Sequence, residues 1–328
     1  MAKRPTLADV AAEAGISRAL ASIVLRGAPG ASDATRERVL AAASRLGYRP
    51  DARARLLRSS RSGLIGVVFA LDGDFHSDLV DAIYPAAEAA GYSVALSARG
   101  PRRTETQALQ TLLDLNVEAL LVLGPAEGSA RLSDLPVPAV PVLDPSPAAG
   151  LSAVMTDETE GVRLALEHLW QLGHRSIAHA SGGTASGAEA REAAYTDFMR
   201  ARGQQPAVLS GGADEAAGIL AVASLASLLR EGAATALLAF NDAQALGLLH
   251  GLRTKGVEVP RDLSLVGYDD SHLAALAYAD LTSVRQDPDA LAAAAVRVAA
   301  GAIDGRHEQV LVAPSLTVRS STAAPAQA

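Results

Sequence analysis

The fold of the N-terminal part of the chain is decided by one stretch, Thr6-Leu-Ala-Asp-Val-Ala-Ala-Glu-Ala-Gly-Ile-Ser17-Arg-Ala-Leu-Ala-Ser-Ile-Val-Leu-Arg26-Gly27. Thr6 and Asp9 have the spacing of a capping pair and predict the start of a helix that runs to Ala14. Gly15 then forms a turn, and Ser17 is the N-cap of a second helix with apolar side chains at helical spacing. The stretch therefore predicts two short helices joined by a tight turn.

A third helix is predicted to begin after Ser32 and to end at Gly47. In a helix-turn-helix, the first turn of the second helix touches base edges in the major groove of DNA. Its outward face carries four side chains: Arg18, Ala19, Ser22 and Arg26. The pattern favours a DNA-binding element, although any two short helices around a glycine could pack in this way without binding DNA.

Charge is distributed unevenly between residues 1–62 (the head) and residues 63–328 (the body). The head has twelve Lys and Arg residues against five Asp and Glu residues, a net charge of +7. Because the whole chain carries −7, the body carries −14. A basic head on an acidic body indicates that the head meets phosphate groups, and a solvated charged surface is the alternative.

The composition is that of a globular protein, with 49% hydrophobic and 20% charged residues over 328 positions. That length suffices for two or three compact units. There is no cysteine, which excludes disulfides and thiolate metal sites. The apolar runs have the length of core strands, and no apolar segment follows the N-terminus, so we expect no membrane span, no signal peptide and a cytoplasmic location.

The segment that follows the third helix is basic and reads Tyr48-Arg-Pro-Asp-Ala-Arg-Ala-Arg-Leu-Leu-Arg-Ser59. It predicts a helix of one to two turns, with Asp51 as a candidate N-cap. A helix of that length is marginal alone in water. We therefore expect it to form only where a partner copy or a DNA groove supports it.

Four groups of residues in the head resemble the headpiece and hinge of the LacI/GalR family of bacterial transcription regulators. They are Thr6-Leu-Ala-Asp-Val-Ala, Ala14-Gly-Ile-Ser17, Thr35-Arg-Glu-Arg-Val-Leu and Leu46-Gly-Tyr-Arg-Pro50. The resemblance implies a homodimer on double-stranded operator DNA, with paired hinge helices in the minor groove. It also implies that Leu57 is a wedge that kinks the duplex, the alternative being an ordinary leucine of dimer packing.

The second helix departs from the family pattern, which is usually Thr-Val-Ser-Arg-Val-Leu-Asn-Gly. This chain has Leu20-Ala-Ser-Ile-Val-Leu-Arg-Gly27 instead. Leu20 and Ile23 cannot donate hydrogen bonds, so we expect them to contact thymine methyl groups, with Arg18 on guanine. The predicted DNA-binding residues are Thr6, Ser17, Arg18, Ala19, Ser22, Ile23, Arg26, Tyr48, Ala54 and Leu57.

In the body, short apolar runs alternate with Ala- and Leu-rich stretches, which predicts parallel sheets covered by helices. The predicted strands are Leu64–Phe69, Ser93–Ser97, Ala119–Leu123, Val140–Leu143, Ile177–Ala180, Ala236–Phe240 and Leu263–Tyr268. The predicted helices are Ser77–Ala90, Glu105–Leu115, Glu160–Leu172, Arg191–Arg202, Ala216–Arg230 and Ala243–Lys255.

The body resembles the effector domain of the same family at Leu172-Gly-His-Arg175, Asn241-Asp-Ala243, Leu263-Ser-Leu-Val-Gly-Tyr-Asp-Asp270 and Leu281-Thr-Ser-Val-Arg-Gln286. The resemblance implies a periplasmic-binding-protein-like α/β domain of two doubly wound parallel-sheet subdomains joined by three crossovers. The predicted divisions are a helix-turn-helix headpiece (1–49), a hinge (50–62) and an effector-binding and dimerisation domain (63–328). We expect subdomain one at about 63–156 and 287–314, and subdomain two at about 157–286 and 315–322.

Ligands of such sheets sit at the carboxyl ends of strands, where this sequence places several polar residues. Carboxylate, amide and guanidinium groups provide the acceptors and donors that sugar hydroxyls need. Arg191 stands at the ligand-arginine position that the resemblance implies, and Phe75 could stack on a sugar face. The predicted effector-binding residues are Phe75, Asp144, Arg191, Asn241, Asp269 and Gln286. Asn241 has an alternative role as the cap of the next helix.

No catalytic, phosphate-binding or metal-binding motif is present, since the seven histidines lie at no metal spacing. We therefore expect no enzyme, no cofactor and no metal. The sequence predicts a ligand-responsive transcriptional regulator, a repressor of carbohydrate-related genes released by a small sugar-like effector. Two alternatives stay open: a co-repressor-type regulator of a purine-like ligand, and a cytosolic solute-binding protein without DNA specificity.

Overall fold

The computed structural model describes residues 5–25, 28–48, 61–71, 73–126 and 128–326. The chain forms two compact units, which coincide with the head, residues 1–62, and the body, residues 63–328. Among the described residues, no helix combines the length and the apolar character that a membrane span requires.

Within its described residues, the head contains three helices, α1 (Leu7–Glu13), α2 (Arg18–Leu25) and α3 (Asp33–Leu46). Helix α1 begins with a capping box, in which the Thr6 hydroxyl accepts from the Asp9 N–H group while the Asp9 carboxylate accepts from the Thr6 N–H group at 2.7 Å. These two bonds satisfy donors that a helix start otherwise leaves unpaired.

Helix α3 is delimited at both ends by its own sequence. The Ser32 hydroxyl accepts a hydrogen bond from the Thr35 N–H group, and Gly47 ends the helix in the left-handed region with φ of 62°. A residue with a β-carbon is strained in that conformation. The three helices enclose a core of small apolar side chains that includes Val10, Ala21, Val24, Val39 and Ala42.

The body contains twelve strands and seven α-helices among its described residues. The strands are β1 (Leu64–Ala70), β2 (Ser93–Arg99), β3 (Ala119–Leu123), β4 (Ala139–Val142), β5 (Ala153–Thr156), β6 (Ile177–Ala180), β7 (Ala207–Leu209), β8 (Ala236–Leu238), β9 (Ser264–Asp269), β10 (Thr282–Arg285), β11 (Gln309–Val312) and β12 (Ser315–Thr317). The helices are α4 (Asp74–Ala89), α5 (Glu105–Leu113), α6 (Glu158–Gln171), α7 (Ala188–Ala201), α8 (Glu215–Arg230), α9 (Asp242–Thr254) and α10 (Pro288–Ile303), and a 3-10 turn spans Ala130–Asp134.

Sheet one has the strand order β11-β5-β4-β3-β1-β2, and every adjacent pair is parallel. Helices α4 and α10 cover one face, where Leu79 and Ile83 pack with Ala295. Helix α5 covers the other face through Leu112, which packs with Leu120. The central strands β1, β3 and β4 are buried on both faces, which explains why they read as continuous apolar runs.

Sheet two has the strand order β12-β10-β9-β8-β6-β7 and is parallel except for β12, which runs antiparallel to β10. One face is covered by α6 and α7, with Leu166 and Tyr195 in the core. The opposite face is covered by α8 and α9, with Val222 and Leu248 in the core. The two sheets therefore have separate hydrophobic cores.

The chain passes between the two sheets three times: after β5, after β10, and between β11 and β12. Two of these crossings are joined directly, because the Thr156 hydroxyl donates to Gln286 Oε1 at 2.6 Å. Both side chains are buried. The crossings thus place the ends of β5 and β10 side by side.

All seven predicted strands and all six predicted body helices are present; the bounds of β3 and β6 are as predicted, and those of the other elements are shifted. Strands β5, β7, β10, β11 and β12 and helix α10 were not predicted from the sequence. These five strands are only three or four residues long. Helix α10 consists mainly of alanine and valine. It has too few polar residues to mark a polar face at helical spacing, so periodicity alone does not reveal it.

Candidate functional site

The second helix of the head presents part of its predicted DNA-contacting set to solvent. Arg18 and Ala19 are exposed, whereas Ser22 and Ile23 are half-buried. Ser17 acts as the helix cap, because its hydroxyl accepts from the Leu20 N–H group at 3.2 Å. The exposed first turn of α2 is the surface that a major groove would meet.

The remaining predicted DNA contacts lie elsewhere in the head. The Thr6 hydroxyl donates to Asp9 Oδ2 at 2.7 Å, and the half-buried Tyr48 packs against the core of the head. Arg26, Ala54 and Leu57 lie outside the described residues. The DNA-contacting roles of all ten residues stay predictions.

In the body, three of the six predicted effector residues meet. Gln286, just after β10, donates through Nε2 to Asp269 Oδ1 at 2.6 Å. Arg191, in the first turn of α7, places Nη1 3.8 Å from the same oxygen. Asp269 itself ends β9 with φ of 105°, a backbone conformation that residues with side chains rarely adopt. These three residues form the Asp269 cluster.

Arg191 is held by partners that were not predicted from the sequence. Its Nε donates to Glu158 Oε2 at 2.7 Å and its Nη1 donates to the Phe240 carbonyl at 2.7 Å. Its guanidinium carbon lies 3.6 Å from the centre of the Tyr268 ring, within cation–π range. Only 5% of Arg191 is exposed, so these contacts replace the water that a buried cation loses.

Two glycines make room for the aromatic rings beside Arg191. A β-carbon at Gly161 would overlap the Tyr268 hydroxyl, and a β-carbon at Gly182 would overlap the Phe240 ring. Larger residues at these positions would displace the rings and, with them, the arginine.

A second carboxylate cluster lies next to the first. Asp242, the first residue of α9, accepts through Oδ2 from the Ser271 N–H group at 2.8 Å and from the Ser271 hydroxyl at 2.9 Å. Its Oδ1 accepts from the Ser283 hydroxyl at 2.6 Å. We call Asp242, Ser271 and Ser283 the Asp242 cluster; it ties the start of α9 to the loop after β9 and to β10.

The two aspartates are buried close enough to influence each other. Burial raises the pKa of Asp242 to about 8, and the negative charge of Asp269 adds to this rise. Burial also raises the pKa of Asp269 to about 7, against the opposing effect of the Arg191 cation. Both carboxyl groups therefore hold protons more tightly than an exposed aspartate does.

The side chains of Asp144 and Asn241 differ in how many of their polar atoms form hydrogen bonds. Asp144 is buried after β4 and accepts through Oδ1 from the Ser146 N–H group at 3.1 Å, while its other oxygen has no hydrogen-bond partner among the described residues. Asn241 caps α9 by accepting from the Gln244 N–H group, and its amide donates to the Ala213 carbonyl at 2.8 Å.

Phe75 belongs to the hydrophobic core between α4 and sheet one, with 5% of its surface exposed. The ring would have to leave that core to stack on a ligand. Of the six predicted residues, the structure thus brings Arg191, Asp269 and Gln286 together. The other three, Phe75, Asp144 and Asn241, are engaged with different partners.

Two contacts connect elements of sheet one to elements of sheet two beyond the crossings. His272, in the loop after β9, donates its N–H group to Asp78 Oδ2 at 3.0 Å, and its ring Nδ1 lies 3.0 Å from Oδ1 of the same residue on α4. The Ser186 hydroxyl donates to the Leu143 carbonyl at 2.9 Å. These bonds span the two halves of the body at the strand ends.

The sequence matches two protein-family models at the positions of these elements. Residues 6–51 match bacterial regulatory proteins of the lacI family, and residues 166–322 match a periplasmic binding protein-like domain. A transcriptional regulator encoded in the aml 5′ region of Streptomyces limosus is 34% identical, over 97% of this chain and 95% of the relative. The chain belongs to the LacI family.

Solved structures of LacI-family proteins have the same architecture. The lac repressor dimer bound to operator and the anti-inducer ONPF has a TM-score of 0.82 and 30% identity, covering 98% of this chain and all of that chain. The complex of the transcriptional regulator CelR with cellobiose has a TM-score of 0.69 and 28% identity, covering 97% of this chain and all of that chain.

These matches confirm the predicted family and the predicted combination of a helix-turn-helix head with a two-sheet α/β body. The Streptomyces limosus relative and the lac repressor are transcriptional regulators, in agreement with the prediction that the chain is not an enzyme. This LacI-family member is a transcriptional regulator.

Proposed function

We propose that this LacI-family regulator represses carbohydrate-related genes and is released from its operator by a small sugar-like effector. The observation that carries the proposal is the Asp269 cluster, which collects a carboxylate, an amide and a guanidinium at the strand ends of sheet two. Such a set can accept from and donate to neighbouring hydroxyl groups of one ligand. The cellobiose complex of a LacI-family relative supports a carbohydrate ligand.

The other predicted effector residues would join the site to different extents. Asp144 offers a buried oxygen without a partner in the described chain, which a ligand hydroxyl could satisfy. Asn241 would have to exchange its hydrogen bond with Ala213 for one with the ligand. Phe75 would contribute only after its ring moves out of the core.

For operator recognition we propose that α2 enters the major groove. Arg18 would read guanine, and Leu20 with Ile23 would contact thymine methyl groups. Arg26 would bind a phosphate, and the hinge at residues 50–62, with Ala54 and Leu57, would enter the minor groove. The net charge of +7 on the head supports attraction to the DNA backbone.

We propose that the regulator acts as a homodimer in the cytoplasm, where bacterial operator DNA is found. Two heads would bind the half-sites of a palindromic operator, and the lac repressor relative is itself a dimer when bound to its operator. Leu220 and Tyr278 on the body are each 76% exposed. In the proposed dimer, a second copy would cover these two side chains.

The mechanism we propose couples effector binding to the separation of the two halves of the body. The Asp78–His272 and Ser186–Leu143 contacts form only when the strand ends of the two sheets lie close together. An effector that favours a different separation would shift the population of hinge states that hold DNA. A coupling free energy of roughly 1–3 kcal/mol would change operator affinity by roughly 5–150-fold.

The test is fluorescence anisotropy of labelled DNA from the chromosomal region upstream of the gene that encodes this chain. The full-length protein is titrated at fixed salt, with and without a panel of sugars, polyols and purines. We expect saturable, sequence-selective binding that one sugar weakens. Arg18→Ala should reduce selectivity, whereas Arg38→Ala, which removes one exposed charge from α3, should lower affinity for all sequences alike.

Other outcomes would identify the alternatives. A purine that strengthens operator binding would indicate a co-repressor mechanism. Binding that depends on salt but not on DNA sequence would contradict operator recognition and would indicate a solute-binding protein without DNA specificity.

A further inference from the structure

Glu158, at the start of α6, lies against the cation of the Asp269 cluster. We infer that Glu158 sets the charge class of the effector: by pairing with Arg191 it makes the site select an uncharged polyhydroxyl ligand and reject anionic ones such as sugar phosphates and uronic acids. The inference rests on the proposed function, because it concerns the same site.

The pairing uses both carboxylate oxygens of Glu158. Oε2 accepts from Arg191 Nε at 2.7 Å and Oε1 lies 3.4 Å from Nη2. Both residues are buried, with 7% of Glu158 and 5% of Arg191 exposed. An arginine that is to bind a phosphate or carboxylate presents this same two-nitrogen edge. In this chain a protein carboxylate already occupies that edge.

Besides Glu158, two further carboxylates act at the cluster. Asp269 itself lies 3.8 Å from Arg191, and Asp74 acts on it as a further negative charge that raises its pKa. At the end of β2, the cation Arg99 is also engaged, since Nε lies 3.4 Å from Glu105 Oε2 and Nη2 donates to the Gly124 carbonyl. An anionic ligand would bring more negative charge into a buried site whose own cation is already paired, which is costly.

Uncharged hydroxyl groups meet no such penalty. A hydroxyl donates to a carboxylate and accepts from an amide or guanidinium N–H group. The cluster offers both kinds of atom through Asp269 Oδ1 and Gln286 Nε2, which are 2.6 Å apart. A ligand with adjacent hydroxyls can therefore replace that bond with two of its own.

Glu158 could instead serve only the start of α6, where an acidic side chain favours the helix dipole. Glu160 is a control position that allows the two roles of Glu158 to be tested separately. It lies in the same first turn of α6 and carries the same charge, but it is near the surface and pairs with Arg163 at 2.6 Å. Glu160→Gln therefore removes equal charge from the helix without freeing Arg191.

The experiment measures direct ligand binding to the full-length protein without DNA, by isothermal titration calorimetry. The probes are two matched pairs, glucose with glucose 6-phosphate and galactose with galacturonate. Glu158→Gln keeps the size of the side chain and removes its charge. It should bind at least one anionic probe about tenfold or more tightly than wild type does, because Arg191 regains a free positive charge. Glu160→Gln should behave as wild type.

A gain in anion affinity is a result that simple destabilisation by the substitution would not produce. No gain for Glu158→Gln with either anion would overturn the inference, as would an equal gain for Glu160→Gln. If the Glu158→Gln variant does not fold, the test rests on the binding of the anionic probes to the wild-type protein. Saturable binding of either anionic probe would overturn the inference. The absence of such binding supports it.

This readout is independent of the proposed regulatory function. If ligand binding follows the charge rule while no ligand changes operator affinity, the proposed function fails and the inference stands. If a sugar phosphate binds wild type and releases operator DNA, the ligand-controlled regulator stands and the inference fails.

Discussion

The Asp242 and Asp269 clusters lie side by side at the carboxyl edge of sheet two, yet their carboxylates are satisfied in different ways. Asp242 is 1% exposed and accepts three hydrogen bonds, all from residues that join neighbouring strands and a helix. Asp269 has 13% of its side chain exposed and accepts one bond, from an amide beside a cation. The difference fits a structural role for Asp242, which holds the edge of the sheet together, and the proposed ligand-binding role for Asp269.

The largest effect should come from Asp242→Ala. It would leave the buried Ser271 N–H group without an acceptor and remove two further bonds, so we expect a loss of about 3 kcal/mol in the free energy of unfolding. Urea denaturation at neutral pH measures it. Ala at the exposed Asp197 is the control and should change stability little. A loss for Asp242→Ala no greater than for the control would remove the distinction between the clusters.

The second-largest effect should be a loss of the response of DNA binding to the effector, with little change in stability. Asp269→Ala removes one accepted hydrogen bond, so we expect its free energy of unfolding to change by less than about 1 kcal/mol. Operator affinity should stay within about twofold, while the effect of a sugar on DNA binding should disappear. Anisotropy titrations with and without the sugar measure both. If operator binding and response are lost together, Asp269 is structural like Asp242.

The pH dependence of stability should follow the raised pKa values of the two carboxyl groups. Each group keeps its proton in the folded state at a pH where the unfolded chain, with an aspartate pKa of about 4, has released it. Their contribution to stability is therefore complete below about pH 4 and is lost as pH rises through about 7 and about 8. Asp242→Asn should flatten the upper part of this decline.

Urea denaturation at intervals between pH 6 and pH 9 checks this expectation, with the range chosen around the two raised values. Asp269→Asn should flatten the lower part of the same decline. A wild-type stability that rises across this interval would contradict the raised values for both groups.

The smallest effect on effector affinity should come from weakening the contact between α4 and the loop after β9, which joins the two halves of the body. Asp78→Asn keeps the size of the side chain but weakens its bond to the half-exposed His272 ring. Exposed pairs contribute about 0.2–1 kcal/mol, so the apparent affinity for the effector should shift by no more than about fivefold. The exposed Asp81 on the same helix is the matched position, and Asp81→Asn should have no effect on the effector titration.

Much of the fold could be predicted because its signals are local. The caps at Thr6 and Ser32, the end of α3 at Gly47 and the apolar runs of the central strands all follow from neighbouring residues. The edge strands β7, β11 and β12 are short and largely exposed or half-buried. They form through pairing with strands far away in the sequence, which a local pattern does not contain.

The candidate site was predicted less completely for a related reason. Glu158 and Asp242 each stand in the first turn of a helix, where an acidic residue is expected for local reasons alone. Their partners, Arg191 and Ser283, lie 33 and 41 residues further along the chain. Phe75 shows the opposite case, since an aromatic ring near the expected cleft is buried in the core.

The last strands of the chain close both sheets. β11 forms one edge of sheet one, β12 forms one edge of sheet two, and the Ala323 carbonyl oxygen lies 2.8 Å from Nε2 of the buried His174 ring. During synthesis from the N-terminus, neither half of the body can therefore reach its final form before the end of the chain leaves the ribosome. A premature stop shortly before β11 would leave both halves incomplete, so a truncated product would lose the proposed ligand sensing as a whole.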